Sequence, residues 1–289
     1  MYHGVRLSLD SKRLWLDGMK DWNGKLPERM TNDEQEEAFW QNMISKKATA
    51  TDGYDDYTTK IRPEILNLLG ETDTVLEIGP GWGNYTFEVA NKVSSLTCVD
   101  SSQSALDFLK KQAELKGIRS MRFLHEKWEN FNPKEKFDVV FGVNCYYRMQ
   151  DIEQALINMN NTARRLAIVG VTSGPEKPHL WDLHHELGYK VKFGRRDYIY
   201  LLNLLYEMGI DANCRIINLQ RMNRYSSEEQ LINQNLDVIL NDEFDKQAAK
   251  DILFRYVKKE NEEFVYPHHF KAALLYWKPE SIEKWGYKK

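Results

Sequence analysis

Residues 74–83 read Thr-Val-Leu-Glu-Ile-Gly-Pro-Gly-Trp-Gly, and residues 95–100 read Ser-Leu-Thr-Cys-Val-Asp. An apolar run (Val75, Leu76, Ile78) stops at a turn holding Gly79, Gly81 and Gly83. A helix-like stretch follows, and a second apolar run stops at an acid, Asp100. This is the layout of a nucleoside-binding β-α-β unit. The turn lets the backbone approach a ligand, and the acid, 21 residues after Gly79, is placed for a ribose hydroxyl.

The rest of the core repeats the alternation. Strands are predicted at 74–79, 95–100, 119–124, 137–143 and 165–172, with helices at 84–92, 103–116 and 151–163. The strands are nearly continuous apolar runs, such as Phe137-Asp-Val-Val-Phe-Gly-Val143. That pattern fits a parallel sheet covered on both faces. Outside the core, residues 1–30 read as irregular. Thr31-Asn-Asp-Glu34 reads as a capping box opening a helix to about Lys47, and a helix is expected from about Thr58 to Leu69. Tyr198 to Met208 carries a helical apolar stripe, Asn213 to about Leu219 a strand, and 226–260 a long helical region opened by Ser226-Ser-Glu-Glu229. The final strand is expected over about 270–277.

Composition excludes several classes. Net charge is −3 and no long Lys/Arg run occurs, which argues against a nucleic-acid partner. No run of 18 apolar residues exists, so no membrane span is expected, and the mixed polar start does not read as a signal peptide. Three scattered cysteines, Cys98, Cys145 and Cys214, suit a reducing compartment, so a cytoplasmic location is expected. Aromatic residues make up 12% of the chain, a composition useful for enclosing a cation or a flat ligand.

Glu77 narrows the ligand. Two residues before Gly79, its side chain shares the strand face of that glycine. A carboxylate there repels a pyrophosphate and attracts an ammonium or sulfonium. The glycine spacing also departs from a dinucleotide turn, with Asn84 where the third glycine would fall. Both points disfavour an NAD-type oxidoreductase and favour a nucleoside with a cationic tail.

Val75-Leu-Glu-Ile-Gly-Pro-Gly-Trp-Gly83 with Asp100 resembles the first two motifs of class I S-adenosylmethionine-dependent methyltransferases, over roughly residues 55–172 and more weakly at the end of the chain. The resemblance implies S-adenosyl-L-methionine as cofactor and S-adenosyl-L-homocysteine as product. It assigns Glu77, Gly79 and Gly81 to the methionine end, Asp100 to both ribose hydroxyls, and Ser101 to the ribose or adenine. Glu126, Lys127 and Trp128 are the candidates beside the adenine, with His125 on the same side. Asn144 opens the loop between cofactor and acceptor, and Tyr54 or Tyr57 stands where the family often folds a residue over the methionine end. Glu126 and Trp128 read equally well as a solvated acid and a core aromatic, and Tyr54 and Tyr57 as loop anchors.

For catalysis the candidates are Tyr146, Tyr147, His179 and His184. His179 and His184 are five residues apart, which does not stack them as metal ligands on a helix, and no metal is expected. A base role suits imidazole, and their segment follows the fifth predicted strand. The tyrosines read more simply as packing. Asn144-Cys-Tyr-Tyr147 lacks both prolines of the Asn-Pro-Pro-Tyr motif of base-amine methyltransferases.

The expected fold is α/β, a doubly wound, mostly parallel Rossmann-like methyltransferase sheet with an antiparallel last strand and helical caps. Residues 1–70 are expected as a helical extension and 71–289 as the methyltransferase domain, with core 71–172 and cap segments within 173–209 and 226–260. Trp40, Tyr54, Trp181, Tyr198 and Tyr200 are expected to line a capped cavity for a small-molecule acceptor. A protein or RNA acceptor, and a silent cofactor-binding subunit, are the other readings. Oligomeric state is left open.

Overall fold

The computed structural model describes residues 10–21, 23–49, 57–132, 135–193 and 198–279. One sheet runs through the molecule. Its strands are β1 (Thr74–Ile78), β2 (Ser95–Asp100), β3 (Met121–His125), β4 (Phe137–Val143), β5 (Ala163–Ser173), β6 (Asn213–Tyr225), β7 (Lys258–Glu260) and β8 (Glu263–Trp277). The order is β3-β2-β1-β4-β5-β8-β6, with β7 on β8. The first five strands are parallel, and β8 and β6 run antiparallel to their neighbours. The chain reverses its direction of travel across the sheet between β1 and β4. In an open α/β sheet that reversal leaves a crevice at the carboxyl ends of the strands.

The helices are α1 (Ser11–Met19), α2 (Glu28–Thr31), α3 (Asp33–Thr49), α4 (Thr58–Leu66), α5 (Thr86–Lys92), α6 (Gln103–Leu115), α7 (Ile152–Thr162), α8 (Pro178–Leu187), α9 (Tyr198–Glu207), α10 (Glu228–Leu236) and α11 (Lys246–Phe254). Strand alternation sends side chains to two cores. Leu76, Ile78, Val140, Ala167 and Val169 face one with α1, α7 and α9. Val75, Val139, Phe141 and Ile168 face the other with α4, α5 and part of α6. A third cluster joins α8, α10 and α11 to Tyr225 and Tyr266, near the far ends of β6 and β8.

Several elements differ from the sequence-based expectation. Residues 11–19 form α1, which Asp10 caps by accepting from Arg13 N–H at 2.9 Å. Asn32, not Thr31, caps α3, accepting from Glu34 N–H at 2.9 Å and Gln35 N–H at 3.2 Å. The second capping box is shifted by one: Ser227 accepts from Gln230 N–H at 3.1 Å, while Gln230 accepts from Ser226 N–H at 2.8 Å. The long helix expected over 226–260 is two short helices and β7. Between the helices, Lys192 N–H donates to Val238 O (2.9 Å) and Leu240 N–H to Lys190 O (2.8 Å). These bonds satisfy the backbone without a helix. Strands β6 and β8 are also far longer than expected. They form a ribbon reaching past β5, whose register with β8 ends at Ser173.

The N-terminal segment is bound into the main core. Trp15 and Met19 are buried in the cluster that holds Trp277, and Trp15 Nε1–H donates to Met149 O at 2.9 Å. Trp15→Ala is therefore expected to cost about 3–5 kcal/mol in denaturant unfolding, as a buried tryptophan of a core does. A cost below about 1 kcal/mol would show α1 to be a surface appendage.

Candidate functional site

The glycine turn leaves β1 at the crevice. Gly79 and Gly81 both adopt φ of +57°, which favours glycine. Space forbids a side chain as well. A Cβ on Gly79 would stand 2.4 Å from Cys145 Cβ, and one on Gly81 would stand 2.8 Å from the Trp40 ring. The turn is thus clamped between the loop after β4 and helix α3.

Asp100 ends β2 beside this turn. It is buried, accepting from Ser102 N–H at 2.9 Å and from Gly81 N–H at 3.4 Å. Burial pushes its carboxyl up to about 6, and the charges of Glu36 and Glu37 act in the same direction. Glu77 is 2% exposed on β1, with the Cys98 thiol 4.0 Å from its Oε2. Burial, then the charges of Asp100 and Glu88, push Glu77 up to about 8. Neither acid forms an ion pair with a described residue. A site this acidic is hostile to a pyrophosphate and receptive to a cation.

A cavity of about 760 Å³ opens at this point. Glu77, Gly79, Gly81, Asp100, Ser101, Glu126, Lys127, Trp128 and Asn144 all line it, so the cofactor candidates among the described residues converge; Tyr54 lies outside them. Their environments differ. Glu126 is exposed, with its N–H donating to Asp100 O at 3.0 Å. Lys127 Nζ pairs with Asp33 at 2.6 Å. Trp128 is a buried core aromatic whose indole N–H donates to Ala155 O at 2.9 Å. Asn144 adopts φ +56° and accepts from Thr172 N–H at 2.8 Å, tying the loop after β4 to β5. Asp100 for hydroxyls, the glycine cradle and Glu77 for a positive charge match the parts of S-adenosylmethionine.

The catalytic candidates separate. Tyr147 lines the cavity, donates to Glu36 and accepts from Trp40 Nε1–H at 3.3 Å. Burial, then the bond to Glu36, raises its phenol well above the usual range, so it is a donor and not a base. Tyr146 is buried and spends its hydroxyl on Gly142 O at 3.1 Å. His179 is fully buried beside Tyr266 Oη (2.9 Å) and Asn235 O (3.3 Å), with burial pushing its pKa down to about 4. His184 Nδ1 lies 2.9 Å from Tyr189 O. Neither histidine lines the cavity, because both belong to α8, which packs into the third cluster. Among the described residues, no group of three or more His, Cys, Asp or Glu could hold a metal ion. No helix among the described residues is long and apolar enough to cross a membrane.

Of the near wall, the sequence reading expected Trp40 and missed the rest. Arg29, Met30, Asp33, Phe39, Trp40 and Met43, from α2 and α3, line the cavity. Phe39, Trp40 and Met43 read as an ordinary helix stripe. Buried Glu36 holds this wall together, pairing with Arg29 at 2.7 Å and accepting from Trp40 Nε1–H at 2.9 Å. Of the other aromatics expected in the lining, Trp181 is 44% exposed against His185 and Phe193, and Tyr198 and Tyr200 do not reach the cavity. A second cavity, about 1180 Å³, shares Arg29, Met30, Asn144 and Tyr147 with the first. Trp15 and Met19 border it on one side, and Lys192 and Leu240 on another.

Comparison with known proteins agrees with this geometry. Residues 75–165 match a family model described as a methyltransferase domain. An uncharacterised protein of Haemophilus influenzae is 27% identical over 247 residues, 84% of this chain and 90% of that one. Phosphoethanolamine N-methyltransferase 3 of Arabidopsis thaliana is 32% identical over 119 residues, 38% of this chain but only 22% of that protein. A solved structure from Bacillus halodurans, named as a candidate methyltransferase, superposes with a TM-score of 0.51 at 14% identity, covering 78% of this chain and 99% of its own. The buried acids, the glycine cradle and the strand order agree with the family match: residues 75–165 form a methyltransferase domain whose cofactor is S-adenosylmethionine.

Proposed function

We propose that the chain transfers the methyl group to a small-molecule acceptor held where its two cavities meet. The observation that carries this reading is their shared wall. Arg29, Met30, Asn144 and Tyr147 border both, and α2 and α3 lie over the cofactor end. The named activity of the Arabidopsis relative, N-methylation of phosphoethanolamine, supports a small acceptor.

Each wall has a task in this reading. Asp100 accepts from the ribose hydroxyls. Gly79 and Gly81 allow the backbone to approach the methionine end, and Glu77 offsets positive charge. Ser101, Glu126, Lys127 and Trp128 border the nucleoside. When bound, S-adenosylmethionine would supply a methyl group on a positively charged sulfur, which can keep the carbon–sulfur electron pair when an acceptor's lone pair takes the methyl. The protein therefore has to orient the acceptor and exclude water, which is worth several kcal/mol when the reacting atoms are aligned, about 7–11 in the best cases. Tyr147, its hydroxyl proton committed to Glu36, orients the acceptor by packing its ring against it. A base is needed only for an acceptor that arrives protonated.

Asp100→Ala removes a buried acceptor of charge-assisted hydrogen bonds. It is expected to weaken S-adenosylhomocysteine binding by about a hundredfold or more in calorimetry. Unchanged affinity would rule out the assigned role.

Glu77 gives a proton-linked prediction. With a folded pKa of about 8 it is mostly protonated at pH 7 in the free protein. A bound cation favours the carboxylate, so S-adenosylmethionine binding at pH 7 is expected to release up to about one proton. Calorimetry in buffers of different ionisation enthalpy measures this, and Glu77→Gln should abolish it. The sign for stability follows. A carboxyl with a raised folded pKa makes the folded state bind more protons, so the ligand-free protein loses stability as pH rises from about 4 to about 8. Glu77→Gln should flatten that fall. A screen of small acceptors that follows S-adenosylhomocysteine release tests the whole reading; methylation of proteins or RNA alone would overturn it.

A further inference from the structure

Three arginines line the cofactor cavity: Arg29, Arg148 and Arg221. Two of them are neutralised by the protein. Arg29 pairs with Glu36 at 2.7 Å and Arg148 with Asp33 at 2.9 Å. Arg221 has no carboxylate partner among the described residues. Its guanidinium instead lies over two rings, 4.8 Å from the centroid of Tyr57 and 5.8 Å from that of Phe270. Stacking of this kind uses the faces of the guanidinium and leaves its in-plane N–H donors for another group.

The strand pairing sets a histidine against Arg221. Arg221 on β6 stands directly across from His268 on β8, and Leu219 from Phe270. The His268 ring stacks on Phe270, with centroids 5.3 Å apart, and its Nε2 lies 3.0 Å from Pro175 O. His268 and Phe270 line the second cavity, so this cluster stands where the two cavities approach each other. Lys177 follows Pro175 by two residues and donates to Asn235 Oδ1 at 2.6 Å. Burial and the charge of Arg221 lower its pKa, while Asp237 and Glu176 act in the opposite direction. Burial, then Lys177, Arg221 and His269, do the same to His268. The basic groups crowd one another, and among the described residues no carboxylate pairs with Arg221.

We propose that Arg221 is a specificity-determining anchor that binds an acidic group, phosphate or carboxylate, on the methyl acceptor. Lys177 raises the positive potential behind it, and neutral His268 packs against the anchor's strand position. The anchor rests on the small-acceptor reading and deepens it. An acceptor held by an acid at Arg221 presents its nucleophile elsewhere in the same cavity, toward Tyr147 and the glycine turn.

The test uses the full chain saturated with S-adenosylhomocysteine. Inorganic phosphate and acetate are titrated by calorimetry against a sodium chloride control of equal ionic strength. Wild type is expected to bind at least one of them above the control, and the tighter of the two identifies the acidic group. Arg221→Ala should weaken that binding by about tenfold or more, and Arg221→Lys by less. The affinity for S-adenosylhomocysteine should stay the same in both variants. With acidic and acid-free acceptors of equal size, Arg221→Ala should raise KM for the acidic one much more than it lowers kcat. The anchor is overturned if neither anion binds above chloride, if Arg221→Ala binds as tightly as wild type, or if acid-free acceptors are used equally well. That last result would leave methyl transfer to small molecules standing. Failure of wild type to bind S-adenosylhomocysteine would remove both readings together.

Discussion

Two carboxylates are buried at the ends of adjacent parallel strands, and the described part of the protein gives neither of them a counter-cation. Glu77 lies within β1 and Asp100 ends β2, side by side in the crevice. Burying such groups unpaired is costly, and the raised pKa of each records the cost. A cofactor with hydroxyls for one acid and a positive charge for the other relieves it. The glycine turn, the reversal between β1 and β4, and the clamp by Cys145 and Trp40 all keep these two acids facing one cavity.

The near wall is held differently. Helix α3 reaches the core through polar links at three acids. Asp33 pairs with Lys127 and Arg148, Glu36 with Arg29 and Tyr147, and Glu37 accepts from Ser104 N–H at 3.0 Å. Exposed ion pairs of the Asp33 kind contribute little to stability, whereas removing a partner of buried Glu36 would strand a charge. The cover is thus polar and local, while the floor beneath it is packed sheet. Such a division places the strong packing beneath the cavity and the adjustable polar contacts over it.

Much of the floor was legible in the chain. Glu77, Gly79, Gly81, Asp100 and Asn144 lie within a few residues of predicted strand ends, and strand ends in a parallel sheet share one edge. The parallel core strands and their helices followed from apolar runs and turn residues for the same local reason. The second half was less legible. The supposed long helix is broken where Val238 and Leu240 pair their backbone with Lys192 and Lys190, Asn241 Oδ1 accepts from Lys190 N–H, and Asp245 caps α11. Strand β6 was cut short at Leu219 because its outer half alternates with exposed polar residues, which hid Arg221. His179 looked chemical in the sequence but is a satisfied core group.

The sequence by itself determined the sheet type, the glycine turn and the charge preferred beside it. Those depend on spacing along one strand and on the sign of one side chain. Tertiary structure decided which distant residues close the cavity. Trp40 meets Gly81, Tyr147 meets Glu36, and Arg221 stands across from His268 with no carboxylate partner among the described residues. Contacts of that kind join segments separated by 40 to over 100 residues. No local pattern encodes them, because they follow from which helix and which strand end pack against the same edge.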